Sequence, residues 1–371
     1  MRVLITGADG FIAKNLKLHL SERKDVEVRG FTRTNRLDEL PAMLDGVDFV
    51  FHLAGVNRPQ SPAEFAFGNA DLTKALCQAI AGSGRQIPVI ATSSTQAAAS
   101  NPYGESKRKA EEHLFALQTN TGSQVYVFRL PNVFGKWCKP NYNSAVATFC
   151  YNTVMNLPLQ INDPAAIVTL VYVDDVVERF LQLMDGAVSL RNAEGFECIT
   201  PQYKATVGEL AEQIQAFRHC RDNLVSERVG VALTRALYAT YVSYLPVDQF
   251  AYPLKRYGDA RGVFVEMLKT PDCGQFSYFT AHPGVTRGGH YHHTKTEKFL
   301  VIKGEARFKF RSMLTAETFE IVTTGEQAEV VETVPGWTHD ITNIGNDELV
   351  VMLWANEIFD REKPDTYACP L

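Results

Sequence analysis

Along residues 1–245, short runs of valine, isoleucine, leucine and phenylalanine alternate with longer amphipathic stretches. Runs that are apolar throughout predict strands covered on both faces, and the stretches between them predict the covering helices. Strands are expected at 2–6, 27–32, 49–53, 89–92 and 125–130. Ile12, Leu16 and Leu20 recur at helical spacing, and residues 107–118 have the same character. The pattern is that of a doubly wound α/β domain built on a parallel sheet.

After about residue 246 the texture changes. Alternating runs such as Ala306-Arg307-Phe308-Lys309-Phe310 predict antiparallel strands with one face inward, hence an all-β barrel or sandwich. The joint is expected at 245–255, where two prolines and several polar residues interrupt both periodicities. This divides the chain into domains 1–245 and 246–371. At 371 residues the chain exceeds what one core usually organises, so two domains also follow from size.

Charge and cysteine usage narrow the classes. The net charge of -5 comes without any block of lysine and arginine, which argues against a nucleic-acid partner. The seven cysteines are scattered without a CxxC pair, as expected in a reducing compartment with no structural disulfides. No apolar run approaches the roughly 20 residues of a membrane span. The chain opens directly into a strand, so it reads as mature from its first residue and as a cytoplasmic protein without a membrane partner.

Gly7-Ala8-Asp9-Gly10-Phe11-Ile12-Ala13 follows the first strand and opens the first helix. There a pyrophosphate can meet unpaired helix N–H groups and approach the backbone closely. The second strand ends in Phe31-Thr32-Arg33, with no acidic residue to grip a ribose hydroxyl. It offers Arg33, with Arg36 nearby, to a 2′-phosphate, which favours NADPH over NADH. The alternative for Arg33 is a solvated surface arginine.

Tyr103 and Lys107 lie four apart on one helix face, preceded by Ser93-Ser94 at a strand end. A phenol titrates near about pH 10 unaided. A neighbouring ammonium and a cationic nicotinamide stabilise the phenolate and are expected to lower that pKa toward the working range, so Tyr103 can pass a proton to a carbonyl oxygen receiving hydride while Ser94 holds that oxygen. On the TGxxGFI start, the Phe51-His52-Leu53-Ala54-Gly55 segment, the SS…PYGESK core and Val171-Tyr172-Val173-Asp174-Asp175-Val176, residues 1–245 resemble the extended short-chain dehydrogenase/reductases. The resemblance implies a Rossmann-like fold and a catalytic set of Ser94, Tyr103 and Lys107. It also implies cofactor contacts from Gly7, Gly10, Phe11, Ile12, Arg33, Leu53, Ala54 and Lys107. Two departures stand out: Ala13 replaces the usual third glycine, and Ala97 to Ala99 fall where many relatives carry VYG.

Five of the nine histidines fall between His282 and His339. On a strand, His290 and His292 share a face that Tyr291 and His293 do not, so two imidazoles can converge on one ion. Glu297 and His339, expected from neighbouring strands, complete a three-histidine, one-carboxylate set for a divalent metal, with zinc, nickel and iron all open on ligand type. Histidines satisfied by core hydrogen bonds are the alternative.

The spacing from Gly284 through His290, His292, Glu297 and Gly304 to Pro335, Gly336 and His339 resembles the two motifs of the cupin (jelly-roll) barrels, over residues 250–371. A further set, Asp259, Arg261, Gly262, Thr286-Arg287-Gly288-Gly289-His290-Tyr291, Lys298 and His339, is similar to the nucleotide-linked 4-keto-sugar 3,5-epimerases. In those enzymes the histidine after the RG pair is a proton-abstracting base and no metal is used. The additional His292 and Glu297 favour the metal, zinc above the others, which leaves the base without a residue. Arg261, Arg287 and Lys298 are the substrate-contact candidates, as enolate stabilisers or as partners of a diphosphate.

The order of reductase and cupin resembles the CapF/WbjC type of capsule and O-antigen enzymes. That resemblance implies a UDP-4-keto-6-deoxy-2-acetamido-hexose substrate, epimerised at carbon 3 in the cupin and reduced with NADPH at carbon 4. The product would be UDP-2-acetamido-2,6-dideoxy-L-talose for N-acetyl-L-fucosamine synthesis, and the enzyme a homodimer. The second reading is a single-activity UDP-4-ketosugar reductase with a structural, dimerising cupin.

Overall fold

The computed structural model describes residues 1–59, 61 and 63–371. The chain forms two compact units, Met1–Ile214 with Ala236–Tyr244, and Gln215–Arg235 with Leu245–Leu371.

In the first unit β1 (Arg2–Thr6), β2 (Glu27–Phe31), β3 (Phe49–His52), β4 (Val89–Ser94) and β5 (Val125–Leu130) form a parallel sheet ordered β2-β1-β3-β4-β5. Because side chains alternate along a strand, Val3 and Ile5 face one helical layer and Leu4 the other. The first layer packs Leu16 and Leu20 with Val176 and Phe180, and the second packs Leu76 and Ile80 with Leu114 and Leu117. Chain order reverses beside β1, which places the topological switch point between the carboxyl ends of β1 and β3, where open α/β sheets bind ligands. A smaller sheet joins β6 (Asn132–Phe134), β7 (Ile167–Tyr172) and β8 (Tyr203–Thr206).

The second unit is antiparallel. One sheet runs β16-β13-β18-β11-β10-β9 and the other β15-β14-β17-β12-β19. The strands are β9 (Arg256–Asp259), β10 (Gly262–Thr270), β11 (Gly274–Ala281), β12 (Thr286–Tyr291), β13 (Glu297–Lys303) and β14 (Glu305–Ser312). They continue with β15 (Thr318–Thr324), β16 (Val330–Glu332), β17 (Trp337–Asn343), β18 (Leu349–Ala355) and β19 (Tyr367–Ala368). Along β14 the alternation read from the sequence holds, with Ala306, Phe308 and Phe310 buried. These residues meet Phe279, Phe299, Ile341 and Val351 in one core.

The segment 215–235 groups with this second unit although it precedes the polar joint. Its hydrogen bonds run to the end of β10: Ser226 N donates to the Lys269 carbonyl, Lys269 N to the Leu224 carbonyl, both at 2.8 Å, and Arg228 pairs with Asp272. No helix among the described residues is long and apolar enough to cross a membrane.

Candidate functional site

Gly7 follows β1 at φ +67, and a Cβ there would lie 2.6 Å from the Ala54 Cα. Both the left-handed backbone and the close approach require glycine. Gly10 caps the helix Phe11–Ser21, and its N–H donates to the Gly7 carbonyl at 2.8 Å. Leu53 and Ala54 close the other side of the crevice, with Leu53 N donating to the Thr6 carbonyl at 3.2 Å. Phe11 and Ile12 are half-buried in the first turn of that helix, whose N–H groups form the expected anion-facing end. Ala13 is buried in the core, where its methyl is accommodated.

Beneath this crevice lies a buried hydrogen-bond chain that fixes one tautomer. Thr73 Oγ1 donates to the Asn69 carbonyl, so it accepts from His52 Nε2 at 2.8 Å. His52 Nδ1 is then the acceptor from Thr6 Oγ1 at 2.7 Å. Burial, reinforced by Lys107, pushes the His52 imidazole down to about 3, consistent with a neutral ring.

Past β2, Arg33 is exposed and has no hydrogen-bond or ion-pair partner among the described residues. Arg36 is held by Asp38, with Nη2 to Oδ2 at 2.9 Å. Of the two arginines, only Arg33 is free to meet an anion.

Ser94, Tyr103 and Lys107 come together. Ser94 ends β4 and its Oγ accepts from Gln96 N, capping the short turn Thr95–Ala98. Asn101 caps the helix Pro102–Thr121 through Gly104 N at 2.8 Å, with Pro102 in its first turn. Gly104 is required here: a Cβ would sit 2.4 Å from the Ala99 carbonyl oxygen, so only glycine lets this helix press against the turn that carries Ser94. Tyr103 faces Ser94; contrary to the lowering expected from the sequence, burial raises its phenol above the usual value, and the nearby Ser94 hydroxyl only partly offsets the rise. Lys107 is buried and donates to the Thr92 carbonyl at 2.9 Å. Burial pushes its ammonium down to about 8, against the opposing pull of Glu111. Glu111 is fixed in turn by Ser93 and by a two-pronged contact with Arg129 at 3.0 and 2.8 Å.

Sequence reasoning passed over Asn69. It lies in the π-helical turn Ala66–Asp71, a local widening frequent at functional sites. Its amide donates to the Val56 carbonyl at 3.0 Å and to Ser106 Oγ at 2.9 Å, joining the crevice loop to the helix of Tyr103 and Lys107.

In the second unit, His290, His292, Glu297 and His339 converge, their ligand atoms all within 4.8 Å of one another. Gly288 at φ +98 and Gly289 at φ +74 make a bulge in β12 that aligns His290 opposite His339 on β17. Glu297 enters from β13 in the facing sheet, not from a strand adjacent to β12 as expected, because the cluster lies between the sheets. Lys298 consequently points away: it is exposed and paired with Glu332 across β13 and β16, outside the cluster. Lys295, which the sequence did not single out, is buried with Nζ 2.9 Å from Glu297 Oε1.

The donor set fits a metal ion. Both ring nitrogens of His339 are buried without a hydrogen-bond partner, although Nε2 lies 3.4 Å from Glu297 Oε2. His292 Nε2 is 3.2 Å from the same oxygen. Ligands around a tetrahedral ion with bonds of about 2.1 Å stand roughly 3.4 Å apart, so these separations suit one. Burial, then His339, pushes the His290 imidazole down to about 4, leaving it neutral. Burial opposes ionisation of Glu297, yet His292, His339 and Lys295 together hold its carboxyl well below the usual carboxylate range.

Arg261 is exposed and bound to Asp259, its Nη2 2.6 Å from Oδ2. Arg287 is half-buried over the Phe279 ring, with Nε donating to the Thr280 carbonyl. Burial lowers its guanidinium below the usual value, and Arg261 adds to the effect.

A parallel sheet with a glycine turn at its switch point and a Ser-Tyr-Lys cluster beside it defines the class: the chain belongs to the NAD dependent epimerase/dehydratase family, matched over residues 3–197, and continues into a Polysaccharide biosynthesis C-terminal domain over 257–367. Over its whole length it is of the CapF type. It is 40% identical to the capsular polysaccharide assembling protein CapF from Staphylococcus aureus, with a TM-score of 0.93 and 100% of each chain covered. It is also 62% identical over 369 residues to the UDP-2-acetamido-2,6-beta-L-arabino-hexul-4-ose reductase of Pseudomonas aeruginosa, covering 100% of this chain and 98% of that one. A UDP-glucuronic acid 4-epimerase from Bacillus cereus shares the fold alone, at 17% identity, TM-score 0.54, and 66% and 98% coverage.

Proposed function

We propose that the chain is a bifunctional nucleotide-sugar enzyme: an NADPH-dependent ketone reductase in residues 1–245 and a metal-holding cupin epimerase in residues 246–371. The observation that carries the reductase half is the junction of Ser94, Tyr103 and Lys107 beside the Gly7 crevice. The name of the Pseudomonas aeruginosa relative supports a UDP-linked 4-keto sugar as substrate.

Bound NADPH supplies the hydride. Gly7, Gly10, Phe11, Ile12, Leu53 and Ala54 line its crevice, and Arg33 takes the 2′-phosphate. Ser94 holds the carbon-4 oxygen and Tyr103 gives it a proton, so ketone, hydride and proton yield the alcohol. Lys107 stabilises the phenolate left behind.

In the cupin, His290, His292, Glu297 and His339 hold a divalent ion, zinc in this reading, which supplies Lewis acidity. Transfer of the carbon-3 proton to a base in exchange with solvent gives an enolate, and reprotonation on the other face inverts that carbon. Lys295 adds positive charge to the same cluster, and Arg287 binds the diphosphate, with Arg261 joining it only on release from Asp259. The product is UDP-2-acetamido-2,6-dideoxy-L-talose, made from a UDP-4-keto-6-deoxy-2-acetamido-hexose for capsule or O-antigen assembly. The enzyme acts as a cytoplasmic homodimer; seven free cysteines support a reducing compartment.

The test incubates the protein with the UDP-4-keto-6-deoxy-N-acetylhexosamine in deuterated water, with and without NADPH, beside a His290→Ala variant. Deuterium entering carbon 3 without NADPH, and lost in the variant, supports the epimerase. NADPH oxidation without uptake leaves a simple reductase carrying a structural cupin.

A further inference from the structure

The C-terminal segment makes a set of contacts that all converge on the histidine cluster. The Asp365 carboxylate accepts from three successive backbone N–H groups, His293 at 2.9 Å, Thr294 at 2.7 Å and Lys295 at 2.8 Å, and from the Thr294 hydroxyl at 3.0 Å. These residues form the turn between His292 and Glu297. The Asp365 backbone carbonyl lies 2.5 Å from His292 Nδ1. Beyond it, β19 pairs with β12, setting Ala368 opposite His290. Cys369 N donates to the Gly289 carbonyl at 2.7 Å, and Thr338 Oγ1 donates to the Cys369 carbonyl at 2.5 Å. One short segment therefore borders His290, His292, His339 and the turn leading to Glu297.

The contact with His292 has a fixed sense. A carbonyl oxygen only accepts, so Nδ1 carries the proton. In the neutral ring, Nε2 is then a bare lone pair aimed at Glu297 Oε2 from 3.2 Å. Two acceptors at that separation repel unless a cation stands between them, either a metal ion or a second ring proton that lets His292 donate to Glu297. The same ring orientation that satisfies Asp365 thus turns Nε2 into a ligand atom, the arrangement by which an outer carbonyl selects a histidine tautomer at metal centres.

We infer that Asp365 is a positioning residue: its carboxylate pins the 293–295 turn and its carbonyl locks His292 in the tautomer that presents Nε2, so the metal site is complete only when the C-terminal segment is docked. This rests on the metal reading given above. An ordinary turn-capping aspartate accounts for the carboxylate contacts alone. It does not account for the carbonyl on His292 or for the strand that follows it along β12.

The test uses the full chain as wild type, Asp365→Ala and Asp365→Asn. Cobalt and zinc affinities are measured by competition with a chelating dye, and the ring nitrogens of the metal-free protein by proton–nitrogen correlation NMR, with His292 assigned through His292→Gln. The wild type is expected to show the Nδ1-protonated form at His292. Asp365→Ala is expected to bind metal roughly 10- to 100-fold more weakly, the usual cost of removing an outer-shell partner, with His292 exchanging between tautomers. If circular dichroism shows that Asp365→Ala does not fold, Asp365→Asn, which keeps one acceptor oxygen, carries the same comparison. Equal affinities in folded variant and wild type, or an Nε2-protonated His292 in the wild type, overturn the inference and leave the metal reading standing. A wild-type chain that takes up neither ion sinks both.

Discussion

The Lys107 ammonium is anchored at 2.9 Å to the carbonyl oxygen of Thr92, two residues before Ser94 on the same strand. This bond couples the helix that carries Tyr103 to the strand end that carries its partner, and it holds a cation in a buried place. The consequence is a shifted titration: Lys107 loses its proton at about 8, where a free lysine holds it to 10.5. With the charge gone, the phenolate of Tyr103 loses its support, so kcat/KM for ketone reduction is expected to fall above about pH 8 with a single alkaline limb. A profile flat to pH 9.5 would contradict it.

The same shift makes a stability prediction. Below pH 8 the residue is charged in both states and the folded chain carries the full burial cost. Between about 8 and 10.5 the unfolded chain binds more protons, so this residue's contribution to stability rises with pH through that window. Lys107→Met should abolish reduction yet raise thermal stability at pH 7. The relieved cost is on the order of 3 kcal/mol, less about 1 kcal/mol for the unsatisfied Thr92 carbonyl. Melting curves of the two proteins at pH 7 and pH 10 check the sign, since the gain should shrink at the higher pH.

Tyr103 is raised above its usual value by burial, so it is protonated at working pH, as a proton donor in the reductive direction must be. Tyr103→Phe keeps the ring that packs 5.5 Å from Phe65 and removes only the hydroxyl. Reduction is expected to slow by about 10²- to 10⁴-fold with little change in NADPH affinity. Stopped-flow NADPH oxidation and a separate fluorescence titration distinguish loss of chemistry from loss of binding.

Arg33 is free while Arg36 is bound to Asp38, and this asymmetry predicts which arginine selects the cofactor. Arg33→Ala should weaken NADPH by roughly 10- to 100-fold, the range of a charged hydrogen bond, and leave NADH nearly unchanged. Arg36→Ala should move neither constant by more than about twofold, as expected for an exposed pair. Equal losses for both cofactors in Arg33→Ala would refute the 2′-phosphate role.

How much of this was legible in the sequence depended on the range of each interaction. The strands at 2–6 and 125–130 coincide with β1 and β5, because an apolar run states its own burial. Tyr103 and Lys107 were legible as a pair, since four residues on a helix is a local relation. Glu297 was legible as a member of its cluster, but its sheet was not: spacing along the chain says nothing of which strand hydrogen-bonds to which. Lys298 was misplaced for a simpler reason, since strand alternation excludes it once Glu297 faces inward. Asp365 left no signal, lying in a polar tail without periodicity and acting partly through its backbone. Segment 215–235 reads as helix and loop like its surroundings, and its bonds to Lys269 cross the joint that composition marks.

The histidine cluster gives the last prediction. With both ring nitrogens of His339 buried outside hydrogen-bond geometry and Lys295 the cation paired to Glu297, the metal-free cluster is a buried set of ligand atoms that a metal ion would stabilise. Stripping the protein with a chelator should therefore lower its melting temperature, and zinc in excess should restore it by an amount that grows with the logarithm of its free concentration. Glu297→Gln removes the charge at nearly constant volume and should lose the metal, the zinc-dependent stabilisation and deuterium exchange at carbon 3. Ser94, Tyr103 and Lys107 belong to the other unit, so reduction of a ketone already carrying the inverted carbon should persist in this variant. If the chelated protein still exchanges the carbon-3 proton at the original rate, the ion is structural, and the inversion must be carried by side chains alone.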